Sequence, residues 1–183
     1  MSDKGIPKPA SHLWPVPELD AASDPDKHEI YRCSNGTGGS WHYACEPPEG
    51  TPSAVAREIQ NVIRSIPEPW QTWAIAEFED RFERATQGRL TFEDPIEVKE
   101  LNTPPLLELR VQPDPEATAA SDQYVLRLYF CEPESVPEVL LALKFGQKPS
   151  QGDPHGKQDR HIREAAGRYE RGQRGGYLWG LPR

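Results

Sequence analysis

The decisive stretch of the sequence reads LLELRV at 106–111, QYVLRLYF at 123–130 and VLLALKF at 139–145. In the first two runs apolar and polar side chains alternate, as they do in strands that bury one face. The third run is almost wholly apolar, which is typical of a central strand. Three such runs with short connections predict a small antiparallel sheet.

Helical periodicity flanks these runs on both sides. Thr51-Pro52 is a favourable helix start, because threonine caps and proline fits the first helical position. Apolar residues at helical spacing then predict helices over 52–65 and 69–87, and a third amphipathic helix over 157–170. The predicted fold class is α+β, a small antiparallel sheet with two N-terminal helices packed on it and a C-terminal helix.

The domain organisation follows from where the prolines and glycines lie. Residues 1–40 contain five of the 20 prolines and a glycine-rich stretch, Ser34–Ser40, and show no periodicity. We therefore predict a disordered Pro/Gly-rich extension over 1–40 and one folded domain over 41–183. The basic tail of that domain, from Gly172 to the C-terminus, is expected to be mobile.

Charge is unevenly distributed along the chain. The formal net charge is -8, but residues 141–183 carry nine basic against four acidic side chains. Residues 1–140 carry 12 basic and 25 acidic ones. Phosphate contacts are made locally, so the basic C-terminal segment is compatible with a nucleic-acid partner despite the acidic total. An ordinary solvated helix and tail would give the same pattern.

Cysteine usage and hydropathy indicate a cytoplasmic protein without metal or cofactor. The three cysteines, Cys33, Cys45 and Cys131, fit no disulfide framework, and no apolar run is long enough to span a membrane. The N-terminus lacks the apolar stretch of a signal peptide. A zinc site of the first two cysteines with His28 and His42 is disfavoured because no CxxC knuckle is present.

Five short motifs occur in a recognisable order. They are VKEL (98–101), LLELRV (106–111), YVLRLYF (124–130), VLLALKFGQK (139–148) and IREAAGRY (162–169). This order resembles the RelE/HigB-like toxin superfamily, including phage-derived HigB-like proteins. The resemblance covers residues 88–170 well and 41–87 loosely, and it does not reach 1–40.

The resemblance implies a toxin of a type II toxin–antitoxin system, a metal-independent endoribonuclease that cleaves mRNA on the ribosome or free. The ribose 2′-hydroxyl attacks the adjacent phosphate, which requires a base, cations for the phosphorane charge and an acid. The expected partners are mRNA, either on the ribosome or free, and a cognate antitoxin. No cofactor and no membrane are expected. RNA is expected on an open concave face of the sheet.

Residue by residue, the resemblance assigns Arg127 to the scissile phosphate. Arg110 matches the second of two catalytic lysines, and Lys148 lies near the arginine of the loop after the last strand. The groups able to move protons include His155, His161 and Tyr129. Further RNA-binding residues are predicted at Lys99, Lys144, Lys157, Arg160, Arg168 and Arg171.

Two departures from the family pattern bear on catalysis. Glu108 stands where RelE has its first strand lysine, as in HigB-like relatives, and Ile162 stands where RelE has a tyrosine. The base and acid of RelE therefore cannot be transferred. The alternative hypothesis is a catalytically inactive RelE-fold protein of prophage origin that grips a protein or RNA partner. The nuclease hypothesis requires Arg110, Arg127 and Lys148 to meet at one phosphate without being neutralised by acids.

Overall fold

A computed structural model describes residues 36–46, 52–68, 70–92, 97–103, 105–111, 124–149, 156–176 and 178–181. Most of the predicted 1–40 extension, and His155, lie outside these residues. The elements are β1 (Ser40–Tyr43), α1 (Ala54–Ser65), α2 (Trp70–Thr86), β2 (Val98–Glu100), β3 (Leu107–Val111), β4 (Tyr124–Cys131), β5 (Val139–Pro149), α3 (Lys157–Arg174) and a C-terminal 3₁₀ turn (Leu178–Gly180). The α+β class is confirmed.

The five strands form one sheet in the order β1-β5-β4-β3-β2. The pairs β2–β3, β3–β4 and β4–β5 are antiparallel, but β1 runs parallel to β5. The prediction of a purely antiparallel sheet is therefore wrong, and the sheet is mixed. A parallel pair needs a long crossover, which here consists of α1, α2 and the three strands in between.

Helices α1 and α2 cover one face of the sheet, as predicted. Their apolar stripes bury Val55, Ile59, Ile63, Phe78 and Phe82 against Leu109, Leu128, Phe130, Leu140 and Phe145. Trp41 of β1 fills the end of this layer, and its indole N–H donates to the carbonyl oxygen of Phe82 at 3.0 Å. The glycine-rich segment before β1 also attaches here, since Gly39 N–H donates to the carbonyl oxygen of Thr86.

Helix α3 lies on the opposite face, against β4 and β5. Ala165 is buried there with Tyr129, Cys131, Leu141 and Leu143. The face that was expected to be open is therefore partly covered. The apolar stripe of α3 has to be buried somewhere, and the face left free by α1 and α2 is the one available.

A bulge in β5 determines which of its side chains face α3. Phe130 pairs with Ala142, whereas the preceding Tyr129 pairs with Lys144, so Leu143 is an extra residue. Leu143 packs on the α3 side, and Lys144 pairs with Tyr129 on the same side. Phe145 then returns to the core under α1 and α2. The polar end of β5 is thereby aligned with polar residues of β4.

The C-terminal segment departs from the prediction of a mobile tail. Helix α3 continues to Arg174, and Trp179 in the following turn is only 1% exposed. Its indole N–H donates to the carbonyl oxygen of Tyr169 at 3.0 Å. A Cβ at Gly172 would overlap the Trp179 ring. The glycine that suggested disorder is thus the residue that admits the tryptophan.

The backbone carbonyl of Trp179 connects the C-terminal turn to β1 and the residues after it by hydrogen bonds. It accepts hydrogen bonds from the backbone N–H of Cys45 at 3.0 Å and from Nε2 of His42 at 2.9 Å. Burial lowers the pKa of His42, partly offset by this bond, so the ring is neutral at pH 7. Among the described residues, no helix has the length and apolar content required to cross a membrane.

Candidate functional site

Two rows of polar residues cross the sheet on its α3 side, because alternate residues of a strand share a face. The row read from β3 to β5 is Arg110, Arg127 and Gly146, and the next row, from β2 to β5, is Lys99, Glu108, Tyr129 and Lys144. Neighbouring strands lie about 4.8 Å apart. The fold therefore brings Arg110 and Arg127 side by side.

Glu108 is the centre of this site. It is fully buried, and its Oε1 accepts a hydrogen bond from Nη1 of Arg127 at 2.6 Å and another from Nε of Arg110. Its Oε2 accepts a hydrogen bond from the side-chain amide of Gln158 at 3.1 Å. Two guanidinium groups directly opposite each other would repel, and the carboxylate between them offsets that repulsion.

Lys148 joins the same cluster through Gln158. Its ammonium group donates to Oε1 of Gln158 at 3.1 Å, while the amide of Gln158 reaches Glu108. The three cationic residues chosen from the sequence are thus gathered around one carboxylate. The three residues lie in one cluster, as the nuclease hypothesis requires, but its second requirement is not met, because Glu108 binds both Arg110 and Arg127.

The cations differ in their access to solvent. The side chain of Arg127 is 7% exposed, whereas that of Arg110 is 25% exposed and Lys148 is half-buried. A molecule in solution can therefore reach Arg110 and Lys148. Arg127 is more deeply buried than either, and its guanidinium group donates to Glu108.

His161 lies over the end of the first row. A Cβ at Gly146 would overlap its imidazole, and its ring centroid is 6.1 Å from that of Tyr129. Burial and the positive charge of Lys144 lower the pKa of His161. The ring is therefore neutral at pH 7, which suits a proton acceptor better than the acid role suggested by a nearby phosphate.

Tyr129 is fully buried beneath this histidine. Burial, followed by the negative charge of Glu108, raises the pKa of its phenol well above the usual range. The hydroxyl therefore keeps its proton at neutral pH, and it lies too deep to meet an RNA backbone directly.

The predicted RNA-binding residues fall into two groups. Lys144 and Arg168 are bound to Glu58 of α1 at 2.8 and 2.6 Å, and Arg171 is paired with Glu46 at 2.6 Å. These three have local carboxylate partners. Arg171 is nevertheless exposed, as are Lys99, Lys157 and Arg160. Lys99 continues the second row at β2, and Lys157 and Arg160 begin α3 beside Gln158.

Two members of the site carried no clear signal in the sequence. Gln158 is a polar residue in the first turn of a predicted helix, where most side chains are solvated. Glu58 precedes Ile59 at the margin of an apolar helix stripe, and that marginal position was its only signal. Both residues are recognisable only when α3 and α1 are placed against the sheet.

Comparisons with protein-family models, with curated proteins and with solved structures give no match.

The contact between Gly146 and His161 gives a direct test of the site. Gly146→Ala should lower the free energy of unfolding by about 1–3 kcal/mol, because the added methyl group overlaps the imidazole in a packed layer. Urea denaturation measures this change. The matched control is Gly167→Ala in α3, where the new methyl group meets only the flexible end of Arg171 and alanine favours the helix. Equal stability of Gly146→Ala and the wild type would contradict the described packing.

Proposed function

We propose that this protein is a RelE/HigB-like endoribonuclease, the cytoplasmic toxin of a type II toxin–antitoxin system. It would cleave mRNA without a metal by attack of the ribose 2′-hydroxyl, on the ribosome or free, and a cognate antitoxin would neutralise it. The observation that carries the proposal is that Arg110 and Arg127 bind one carboxylate, to which Lys148 is linked through Gln158. The order of the sequence motifs supports it independently.

The charge balance of the site favours a phosphate. Arg110, Arg127 and Lys148 bring three positive charges to the single carboxylate of Glu108. A phosphodiester offers more acceptor oxygens, and guanidinium groups bind it in a bidentate manner. Arg110 and Lys148 would make the contact, and Arg127 would hold Glu108 and thereby the orientation of Arg110. Fixed cations of this kind stabilise the charge that develops on the phosphorane.

The same site offers a group for proton transfer. His161 is neutral and lies over Gly146, two strands from Arg110. In this role His161 would accept the proton of the attacking 2′-hydroxyl while the cations hold the phosphate in line.

Replacing Arg110 by alanine should reduce the rate of RNA cleavage by about 10²-fold, the usual loss when one charge-stabilising group is removed. Initial rates would be measured on mRNA with and without ribosomes. Arg64→Ala is the matched control, because Arg64 is exposed on α1 at the other face of the sheet. Wild type that cuts no RNA, or an Arg110→Ala protein as active as wild type in both assays, would contradict the proposal.

A second candidate is a non-cleaving protein that binds RNA or a protein partner through the same face. The observation in its favour is Glu108, which already forms an ion pair with both arginines. Expression in a heterologous host separates the two candidates, since growth arrest favours the nuclease and normal growth the binder. RNA affinity without cleavage, falling steeply with added salt, would identify the binder directly.

A further inference from the structure

We infer that the carboxylate of Glu108 occupies an oxyanion site and stands in for a phosphate group, so that removing its charge opens the site to free phosphate. The inference concerns the site of the proposed function, and its test requires no RNA cleavage. The nuclease proposal gives Glu108 no such role as an internal occupant of the anion site.

The donor set around Glu108 is that of an anion receptor. Its two oxygens receive hydrogen bonds from Arg127 of β4, from Arg110 of β3 and from Gln158 of α3. Lys148 of β5 stands behind Gln158. Donors from three separate elements thus converge on one carboxylate, and Lys148 of a fourth element binds the amide oxygen of one of them, an arrangement of the kind that binds phosphate or sulfate in proteins.

A second buried carboxylate in the same protein shows what a purely structural pair looks like. Glu97 is bound by one cation, Arg84, at 2.6 Å, and its other partners are the neutral N–H and hydroxyl of Thr91. Arg84 also pairs with the exposed Asp80 at 3.4 Å, so no positive charge is left over in that pair. Among the residues that the structure describes, two guanidinium groups and a nearby ammonium group face the single carboxylate of Glu108, and positive charge is left over. An excess of positive charge is needed to bind a phosphate group, whereas a buried carboxylate needs only one cation to balance it.

The site also has a route to solvent. Arg110, with a quarter of its side chain exposed, and the half-buried Lys148 lie on its outer side. A small anion in solution can therefore reach these two side chains. In the wild type it would compete with a tethered carboxylate, whose effective concentration is millimolar or higher. Free phosphate should therefore bind weakly, and an RNA chain would compete through several contacts at once.

The test compares Glu108→Gln, Glu97→Gln and the wild type in inorganic phosphate at constant ionic strength adjusted with chloride. For Glu108→Gln we expect the Tm to rise by about 5 °C between 0 and 50 mM phosphate. The rise should stay under about 1 °C for the other two proteins, because phosphate acts on them only by general exclusion from the surface. Calorimetric titration should give a phosphate Kd at least tenfold lower for Glu108→Gln than for the wild type.

The location of binding is tested by the double variant Glu108→Gln/Arg110→Ala, which should lose the phosphate response. If Glu108→Gln does not fold, Glu108→Ala, which leaves room for the anion, is refolded with and without phosphate, and a higher yield with phosphate supports the inference. Three outcomes would overturn the inference. They are equal Tm responses of Glu108→Gln and Glu97→Gln to phosphate, an unchanged response in the double variant, and no effect of phosphate on either Glu108 variant. A phosphate response in a protein that cuts no RNA would leave the inference standing and remove the nuclease proposal. If the wild type cuts RNA but neither Glu108 variant responds to phosphate, the nuclease proposal stands and this inference is removed.

Discussion

Replacing Trp179 by alanine is expected to lower the free energy of unfolding by about 3–5 kcal/mol, the usual loss for a large aromatic core residue. The side chain is almost completely buried and stacks on Tyr169, with ring planes 18° apart and centroids at 5.3 Å. It also packs against Gly172. Its removal leaves a cavity between α3 and β1 and frees the Tyr169 carbonyl from its donor.

Urea denaturation followed by circular dichroism measures this loss. Trp70→Ala is the matched control, because Trp70 is a half-buried tryptophan at the start of α2 and should cost less than half as much. If Trp179→Ala proved no more destabilising than Trp70→Ala, the C-terminal turn would not be part of the core.

Replacing Glu58 by alanine is the second large change, with an expected loss of about 3–5 kcal/mol, as for other buried ion pairs that lose one partner. Glu58 lies on α1, yet it binds Lys144 of β5 at 2.8 Å and Arg168 of α3 at 2.6 Å. Its second oxygen accepts the backbone N–H of Phe145 at 3.0 Å, beyond the end of β1. One carboxylate thus connects all three layers, and without it the partly buried Arg168 loses the carboxylate it binds, while Lys144 keeps only the more exposed Glu164.

The stabilisation by Glu58 should depend on pH. Burial raises the pKa of this carboxyl, but hydrogen bonds from Arg168, Lys144 and the Phe145 N–H outweigh burial and bring the pKa below its ordinary value. A group whose pKa is lower in the folded state stabilises the fold above its unfolded pKa, about 4.3 for glutamate. That contribution disappears as the pH falls through the folded value.

The difference in unfolding free energy between wild type and Glu58→Ala should therefore be full at pH 7 and shrink below about pH 4. Urea denaturation across this range measures it. Glu164→Gln is the control, since Glu164 pairs with Lys144 alone and is 41% exposed, so its removal should cost less than about 1 kcal/mol. A difference that stayed constant down to pH 3 would show that the charge of Glu58 contributes nothing.

The helices and strands were predictable because their periodicity is strong. The predicted helices 52–65 and 69–87 differ from α1 and α2 by one or two residues. The alternation in LELRV and YVLRLYF also placed Arg110 and Arg127 on the same face, where they are found. Local pattern fixes which residues form an element and which side of it they occupy.

What the pattern could not give is how elements meet. The direction of β1 depends on its pairing with β5, a partner almost 100 residues away in the chain. The burial of Trp179 depends on the gap over Gly172, which looks like a flexible tail in the sequence. In the candidate site, Glu108 was visible as a departure from a family motif, but its place between two arginines required the register of β3 and β4.

The extra residue in β5 has a consequence for how chains of this kind should be aligned. Leu143 lets Lys144, Gly146 and Lys148 share a side with Arg127. If the same sequence paired with β4 without the bulge, Phe145 would lie opposite Arg127 and face α3, and Lys148 would face α1 and α2, with every apolar residue kept. Counting hydrophobic residues would score the two registers alike, although only one of them could assemble the cationic cluster.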